Sequence, residues 1–350
     1  MIDASGIGVY LKNVLSRLIS ISGWNFIVLG NQAILSKFDW LKSERIAIVS
    51  VSAQIYSLRE QFELARSIST EASLFWAPHY NAPLFCHVPL VVTIHDVAHL
   101  ALPDIFRSFP QKAYAKTMLT AVRWRAEHIM FDSDFTKNEF EKLVGVPAGK
   151  QSVVHLGLDD SWRDIALRET QKEKFIIYVG NMKPHKNVGA LVKAFDSIRD
   201  RIPHNLLIVG KREGFLVGDH TLREVFDRND ARIVFTGPVS DEELHLQVAR
   251  AELLVLPSLY EGFGLPPLEA MACGCPVAVS NRASLPEICA DAAIYFDPTD
   301  VGQIAAAIIS SLTDQDLAQH LKKRGLERSA TFNWDSVARN VHRIMSDHIM

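Results

Sequence analysis

The chain has 350 residues, 48% hydrophobic and 22% charged, an ordinary globular balance. That length exceeds what one hydrophobic core usually serves, so two domains are expected. A formal net charge of −3 gives no basic field for nucleic acid, and no apolar run reaches the roughly 18–20 residues of a spanning helix. The opening residues lack a secretory signal pattern, which implies a soluble protein or one peripheral to a membrane.

The start "MIDASGIGVYLKNVL" enters a glycine-containing loop and a helix after only four residues. A strand normally precedes such a loop, and "MIDA" is shorter than a strand needs to pair well. The expectation is a natural start several residues upstream; the alternative is a stub strand that leaves a gap or weak pairing in the sheet. Short apolar runs then read as strands: "WNFIVLG", "RIAIVSV", "SLFWAP", "PLVVTIHD", "HIMFDSD" and "SVVHLGL". Segments of helical period such as "SLREQFELARSIST" lie between them, which is the pattern of a buried parallel sheet. A polar stretch around 160–172 reads as a linker. The alternation restarts with "FIIYVG", "NLLIVG", "RIVFTG", "AELLVLPS", "PVAVS" and "AAIYFDP", three of which end in glycine, and helices close the chain. The expected fold class is α/β with two Rossmann-like domains, over 1–162 and 163–332, and a last helix over 333–350.

Two second-half segments carry chemistry. In "YVGNMKPHKNVGALVKAF", Lys183, His185 and Lys186 gather before a helix expected from Asn187. A helix start already favours anions, so the added cations suit a diphosphate, although a solvated basic loop has the same composition. In "EGFGLPPLEAMACG", Gly262 and Gly264 permit close backbone approach, and Pro266 or Pro267 can begin a helix whose first turn would hold Glu269. A carboxylate accepts two hydrogen bonds from a vicinal diol. Glu261 and Glu269 could therefore grip a sugar and a ribose with phosphates between them. The plainer reading of Glu269 is a favourable first-turn charge.

Other candidates are weaker. His95 and Asp96 form a His-Asp pair without a nucleophile elbow. His79 and His99 match no common metal-ligand spacing, and neither do Cys86, Cys273, Cys275 and Cys289, which read as small buried residues of a reduced compartment. "RSFPQKAYAKTMLTAVRWRAEH" interleaves Arg107, Lys112, Lys116, Arg123 and Arg125 with aromatics, suiting anionic lipid or an ordinary solvated helix face.

The stretch "EGFGLPPLE" resembles the Glu-x7-Glu signature of retaining GT-B glycosyltransferases of family 4. "SGIGVYLKNVL", "VVTIHD", "SDFTKNEF", "YVGNMKPHKN" and "VSNRASLPEICADAAIYFDPTD" are similar to other family segments in the family's order, covering nearly the whole chain. The resemblance implies a GT-B fold, two Rossmann-like domains facing across a cleft, with the last helix returning to the first domain. It implies catalytic roles for His95 against the transferred sugar, Lys186 against the leaving diphosphate and Glu261 on donor hydroxyls. Donor-binding roles fall on Gly6 and Gly8 in a loop under the diphosphate, on backbone groups of Gly262, Phe263, Gly264 and Leu265, on Glu269 at the ribose and on Val239 at the nucleobase. Relatives carry an arginine shortly before the loop lysine; here Asn181 or Lys183 stands near that place, and Lys183 or Lys211 is left to substitute.

The activity implied is metal-independent retaining transfer of a hexose from a nucleotide diphosphate sugar, a substrate rather than a cofactor, with no cofactor or metal needed. The acceptor expected is a saccharide or lipid-linked saccharide of surface-polysaccharide biosynthesis, with a cytoplasmic location and peripheral contact with the inner membrane face. The segments look most like bacterial polysaccharide mannosyltransferases, which favours GDP-mannose; a UDP-sugar is the alternative. A non-catalytic sugar-nucleotide binder is the rival from another class. A nicotinamide-dependent oxidoreductase is disfavoured because "SGIGVY" lacks the G-x-G-x-x-G spacing.

Overall fold

Every strand pairing among the described residues is parallel, as apolar runs separated by helical segments require. The structure, a computed structural model, describes residues 6–106, 108–168, 171–211 and 230–349. The expectation for "MIDA" and the basic residue Arg107 fall outside the described residues.

The chain divides into two compact units, one of residues up to Gly157 together with Trp334 onward, the other Leu158–Asn333. In the first unit β1 (Phe26–Gly30) pairs with β2 (Ile46–Ser50). A separate sheet runs in chain order through β3 (Phe75–Ala77), β4 (Leu90–Ile94), β5 (His128–Phe131) and β6 (Lys150–Val153). Among the described residues no ladder joins the two pieces. They are joined by packing on the opening helix, Gly6–Ile21, which buries Tyr10, Val14, Leu15, Leu18 and Ile19 at helical spacing. Leu15 and Ile19 pack with Phe26, Val28, Ile46, Ile48 and Trp76. Tyr10 and the Trp76 indole N–H both hydrogen-bond the Thr93 hydroxyl, at 3.2 and 3.0 Å.

The closing helix, Trp334–Ser346, lies in the first unit on the opening helix. Its buried stripe is Trp334, Val337, Ala338, Val341, Ile344 and Met345, and Asp335 pairs with Arg17 at 2.7 Å. A Cβ at Gly157 would stand 2.4 Å from the Trp334 backbone nitrogen, so only glycine permits that approach. One residue on, Leu158 bridges Asn333 within the second unit. The chain thus changes unit at 157/158, ahead of the polar 160–172 stretch and of the expected 162/163 boundary. The reason is packing: Trp162 is buried, set 4.0 Å from the His245 ring, and accepts from the Cys273 thiol through its carbonyl, all inside the second unit.

The second unit carries one six-stranded sheet, ordered β12-β11-β10-β7-β8-β9. The strands are β7 (Glu173–Val179), β8 (Asn205–Val209), β9 (Ile233–Gly237), β10 (Ala251–Leu256), β11 (Val277–Ser280) and β12 (Ile294–Phe296). Chain order runs outward from β7 to β9 on one side and from β10 to β12 on the other. The point between β7 and β10 is therefore the topological switch point, outside whose carboxyl ends an open α/β sheet binds ligands.

The four cysteines are buried free thiols. No helix among the described residues is long and apolar enough to cross a membrane. The basic segment forms the helix Phe109–Arg125, and its cations are committed to backbone carbonyls. Lys112 donates to Pro103, Lys116 to Leu143, Arg123 to Val144 and Val146, and Arg125 to Cys86 and Val88. Much of the basic pattern thus clamps neighbouring loops.

Candidate active site

The switch point brings the second unit's two chemical segments together. β7 leads through Gly180 into the lysine loop, and β10 leads through Pro257 into the glutamate loop. Lys186 ends a 3-10 turn, Pro184–Lys186, and Asn187 follows in the left-handed region at φ 56° before the helix Val188–Ile198. Asn187 holds that bend by donating to the carbonyls of Pro257 and Pro298, at 3.2 and 2.7 Å. The Leu259 N–H donates to the His185 carbonyl at 2.8 Å, fastening one loop to the other.

Lys186 Nζ consequently sits 2.7 Å from both Glu261 carboxylate oxygens. The side chains are only 22% and 10% exposed. Ser258 adds a third donor to Glu261, at 2.6 Å, and Ser284 fixes the loop by donating to the carbonyls of Glu261 and Phe263. Tyr178 is buried beneath this pair; burial first, and then the Glu261 charge, push its phenol well above the ordinary range.

Gly264 caps the helix Leu265–Ala272 at φ 115°, a conformation that favours glycine. A Cβ there would also meet Leu285 Cδ2 at 2.8 Å. Pro266 and Pro267 carry no N–H, so in the first turn of that helix the Leu265 amide is left without an intrahelical acceptor and can face an anion. The Phe263 ring is buried edge-on to Phe332 at 5.9 Å and is turned away from that role. Because the left-handed glycine starts the helix at Leu265, Glu269 is its fifth residue and stands outside the first turn, contrary to the sequence expectation. The first-turn-charge reading of Glu269 therefore fails. Burial pushes its carboxyl up to about 8, with Asp241 and Asp159 adding to the rise. The two glutamates thus occupy opposite surroundings, Glu261 beside a cation and Glu269 beside acids.

Lys183 and Lys211 are both exposed, on adjoining loops that the Met182 N–H joins by donating to the Lys211 carbonyl at 3.1 Å. Val239 is half-buried between β9 and the helix Asp241–Arg250, at the sheet edge.

In the first unit Gly6 and Gly8 lie in the described part of the opening helix, with Gly6 exposed and Gly8 buried. His95, at the carboxyl end of β4, uses both ring nitrogens within its own unit. Nε2 donates to the Pro78 carbonyl at 2.8 Å, and Nδ1 lies 2.5 Å from Asp132 Oδ2. With Nε2 protonated, one further proton must be held between Nδ1 and Oδ2. Burial works against a charged His95, but the Asp132 charge and hydrogen bond outweigh it, and the imidazole is raised. The Tyr10 ring closes edge-on at 4.9 Å.

Asp132, Ser258, Ser284 and Asn187 were not singled out by sequence reasoning. Ser258 and Asn187 adjoin motifs that were, whereas Ser284 and Asp132 reach their partners only through the fold.

These features define a nucleotide-sugar-dependent glycosyltransferase with the two Rossmann-like units of the GT-B fold. Residues 5–162 match the family model described as Glycosyltransferase Family 4, and residues 162–328 the one described as Glycosyl transferases group 1. The chain is 33% identical over 259 residues to O-antigen chain mannosyltransferase B of Escherichia coli, covering 70% of this chain and 67% of that protein. It is 31% identical over 230 residues to O-antigen chain mannosyltransferase RfbU of Salmonella typhimurium, 66% of this chain and 62%, under two thirds, of the relative. The chain belongs to the GT-B glycosyltransferases of these two family models, related to bacterial mannosyltransferases. In fold it is similar to a sucrose-phosphate synthase from Thermosynechococcus elongatus (TM-score 0.78, 21% identity, 98% of this chain and 94% of that one). It is also similar to an Anabaena protein solved with UDP-glucose (TM-score 0.77, 16% identity, 99% and 97%).

Proposed function

We propose that the chain transfers a hexose, with retention at the anomeric carbon, from a nucleotide diphosphate sugar to a saccharide or lipid-linked saccharide acceptor in surface-polysaccharide assembly. The observation that carries this reading is Lys186 Nζ held against Glu261 at the switch point, next to the helix start at Leu265. As the bond from the anomeric carbon to the phosphate oxygen breaks, negative charge grows on the diphosphate. Lys186 and the Leu265 amide at the helix start are preorganised for that charge, the largest single source of catalysis in many sites. Glu261 turns from Lys186 toward donor hydroxyls, and Glu269 takes the ribose diol. The departing phosphate oxygen accepts the acceptor's hydroxyl proton while the new glycosidic bond forms on the same face, so no separate base is required.

The donor nucleotide is carried first as uridine diphosphate, supported by the UDP-glucose in complex with the Anabaena protein of similar fold. GDP-mannose is the second reading, supported by the mannosyltransferase names of the two curated relatives. Peripheral contact with the inner membrane face is supported by exposed Phe109 and Trp124, the latter under the Arg123 guanidinium at 4.5 Å.

The test is a thermal-shift and donor-turnover screen against UDP-glucose, GDP-mannose and ADP-glucose, with and without EDTA. A ligand at about 100 times its Kd should add roughly 2.7 kcal/mol of stability. The expected result is one stabilising donor whose hydrolysis or transfer survives chelation and gives an α-linked product from an α-linked donor. Stabilisation without turnover on any acceptor identifies a binding protein instead. Loss of turnover in EDTA, restored by Mg²⁺ or Mn²⁺, overturns the metal-independent mechanism.

A further inference from the structure

One residue at the carboxyl end of the first unit's sheets holds a backbone conformation that its side chain disfavours. Tyr56, in the segment after β2, has φ 66°. A bulky residue in that region is strained, and such strain collects at binding and catalytic sites. The surroundings enforce it: the Tyr56 N–H donates to Glu60 Oε2 at 2.7 Å, while Ser57 caps the helix Leu58–Ser67 by accepting from the Glu60 N–H. Glu60 is itself fixed by the Asn81 amide at 2.7 Å.

The strain aims a ring outward. Tyr56 is 48% exposed although its ring is propped by Tyr114 and His79 edge-on, at 5.9 and 6.0 Å, and by Tyr80 at 6.5 Å. His79 packs against the ring and the Asp96 charge reaches both Tyr56 and His79, and each of these two side chains has one position without a hydrogen-bond partner among the described residues. His79, two residues beyond β3, accepts the Asn81 N–H at Nδ1, which puts the proton of its neutral ring on Nε2. That N–H has no hydrogen-bond partner among the described residues. Burial keeps the ring neutral by pushing its pKa down to about 4. Asp96, two residues beyond β4, accepts the Ala98 N–H at Oδ1 and has no partner at Oδ2 among the described residues. Carboxyl ends of parallel strands are where open α/β sheets take ligands.

An aromatic face with a free donor and a free acceptor beside it suits a ligand having a C–H face and hydroxyls. The two nearby carboxyl groups, Asp96 and Glu60, make the local field negative and disfavour a phosphate or carboxylate. We infer that Tyr56, His79 and Asp96 form a saccharide subsite in which Tyr56 is the stacking platform. Its identity as the acceptor's subsite rests on the transferase reading above. The negative face of the tyrosine ring meets the sugar's polarised C–H groups, His79 Nε2–H donates to one hydroxyl, and Asp96 Oδ2 accepts from another.

The test is saturation-transfer NMR of the full chain with mannobiose, maltose, cellobiose and chitobiose, alongside donor hydrolysis. The key variant is Tyr56→Gly, since glycine suits φ 66° and removes the ring without strain. At least one disaccharide should bind the wild type, weaken by about tenfold or more in Tyr56→Gly, and stay within about threefold in Tyr56→Phe, with nucleotide affinity unchanged. Equal binding by Tyr56→Gly, or no binding of any disaccharide by the wild type, overturns the subsite. Saccharide binding that depends on Tyr56 in a chain that never turns over a donor leaves the subsite standing and removes the transferase reading. Donor turnover with an unaltered acceptor KM in Tyr56→Gly does the reverse.

Discussion

Replacing Lys186 with alanine separates what the Lys186–Glu261 pair does for stability from what it does for turnover. Glu261 receives two contacts from Lys186 and one from Ser258. Lys186→Ala leaves a nearly buried carboxylate with the serine alone. Breaking a fully buried pair from one side costs about 3–5 kcal/mol, and an exposed pair is worth about 0–1. With side chains 22% and 10% exposed, this pair falls between those limits. A loss of about 2 kcal/mol is expected, or a thermal midpoint lowered by about 4–8 °C for a domain of roughly 150–250 residues. Turnover should fall further, roughly 10²–10³-fold, on the proposed role of this charge against the leaving diphosphate. The double variant Lys186→Ala/Glu261→Ala has no orphaned carboxylate. Its stability should exceed the sum of the single effects by about 1–2 kcal/mol, while its turnover stays low. Calorimetric melts of the four proteins and initial rates on the best donor provide the cycle. Stabilities additive within about 0.5 kcal/mol, with Lys186→Ala turnover within about threefold of wild type, refute both parts of the reasoning.

Titration calorimetry with the free nucleotide diphosphate should find Glu269→Ala the more damaging of the glutamate variants, and Glu261→Ala the more damaging to sugar transfer; equal losses of nucleotide affinity would remove the division of roles. The raised Glu269 carboxyl binds its proton more tightly folded than unfolded, so its effect on stability is progressively lost as pH rises from about 4.5 to about 8. Glu269→Gln should flatten that fall by about 1–3 kcal/mol, and denaturant melts at pH 5 and pH 8 that keep the wild-type difference would contradict it. Gly264→Ala combines φ 115° with a 2.8 Å approach to Leu285, and a destabilisation of about 1–3 kcal/mol is expected; a midpoint equal to wild type would show that the loop relaxes freely. The raised His95 imidazole contributes stability below its unfolded pKa that is lost as pH rises through the folded value. Asp132→Asn should lower the His95 titration followed by NMR, and an unmoved curve would place the proton's hold elsewhere.

The sequence by itself determined the class of fold. Apolar runs that alternate with helical segments have few ways to bury themselves other than parallel sheets, and the strands ending in glycine at Gly180, Gly210 and Gly237 mark where the loops leave the second sheet. Lys186, Glu261 and Glu269 stand out as candidates because their spacing about glycine and proline is local, and the fold pairs the first two. What that spacing could not give was the helix start at Leu265, since the left-handed turn of Gly264 depends on how the loop packs against Leu285 and Ser284. It could not give the boundary at Gly157, set by the close passage of Trp334 from the far end of the chain. The commitment of both His95 nitrogens, to Pro78 and Asp132, and the strain at Tyr56 held by Glu60 and Asn81 were equally hidden. Each depends on groups that the fold brings together from different segments of the chain. Side-chain protonation, pairing and strain follow from those neighbours, which only the tertiary structure decides.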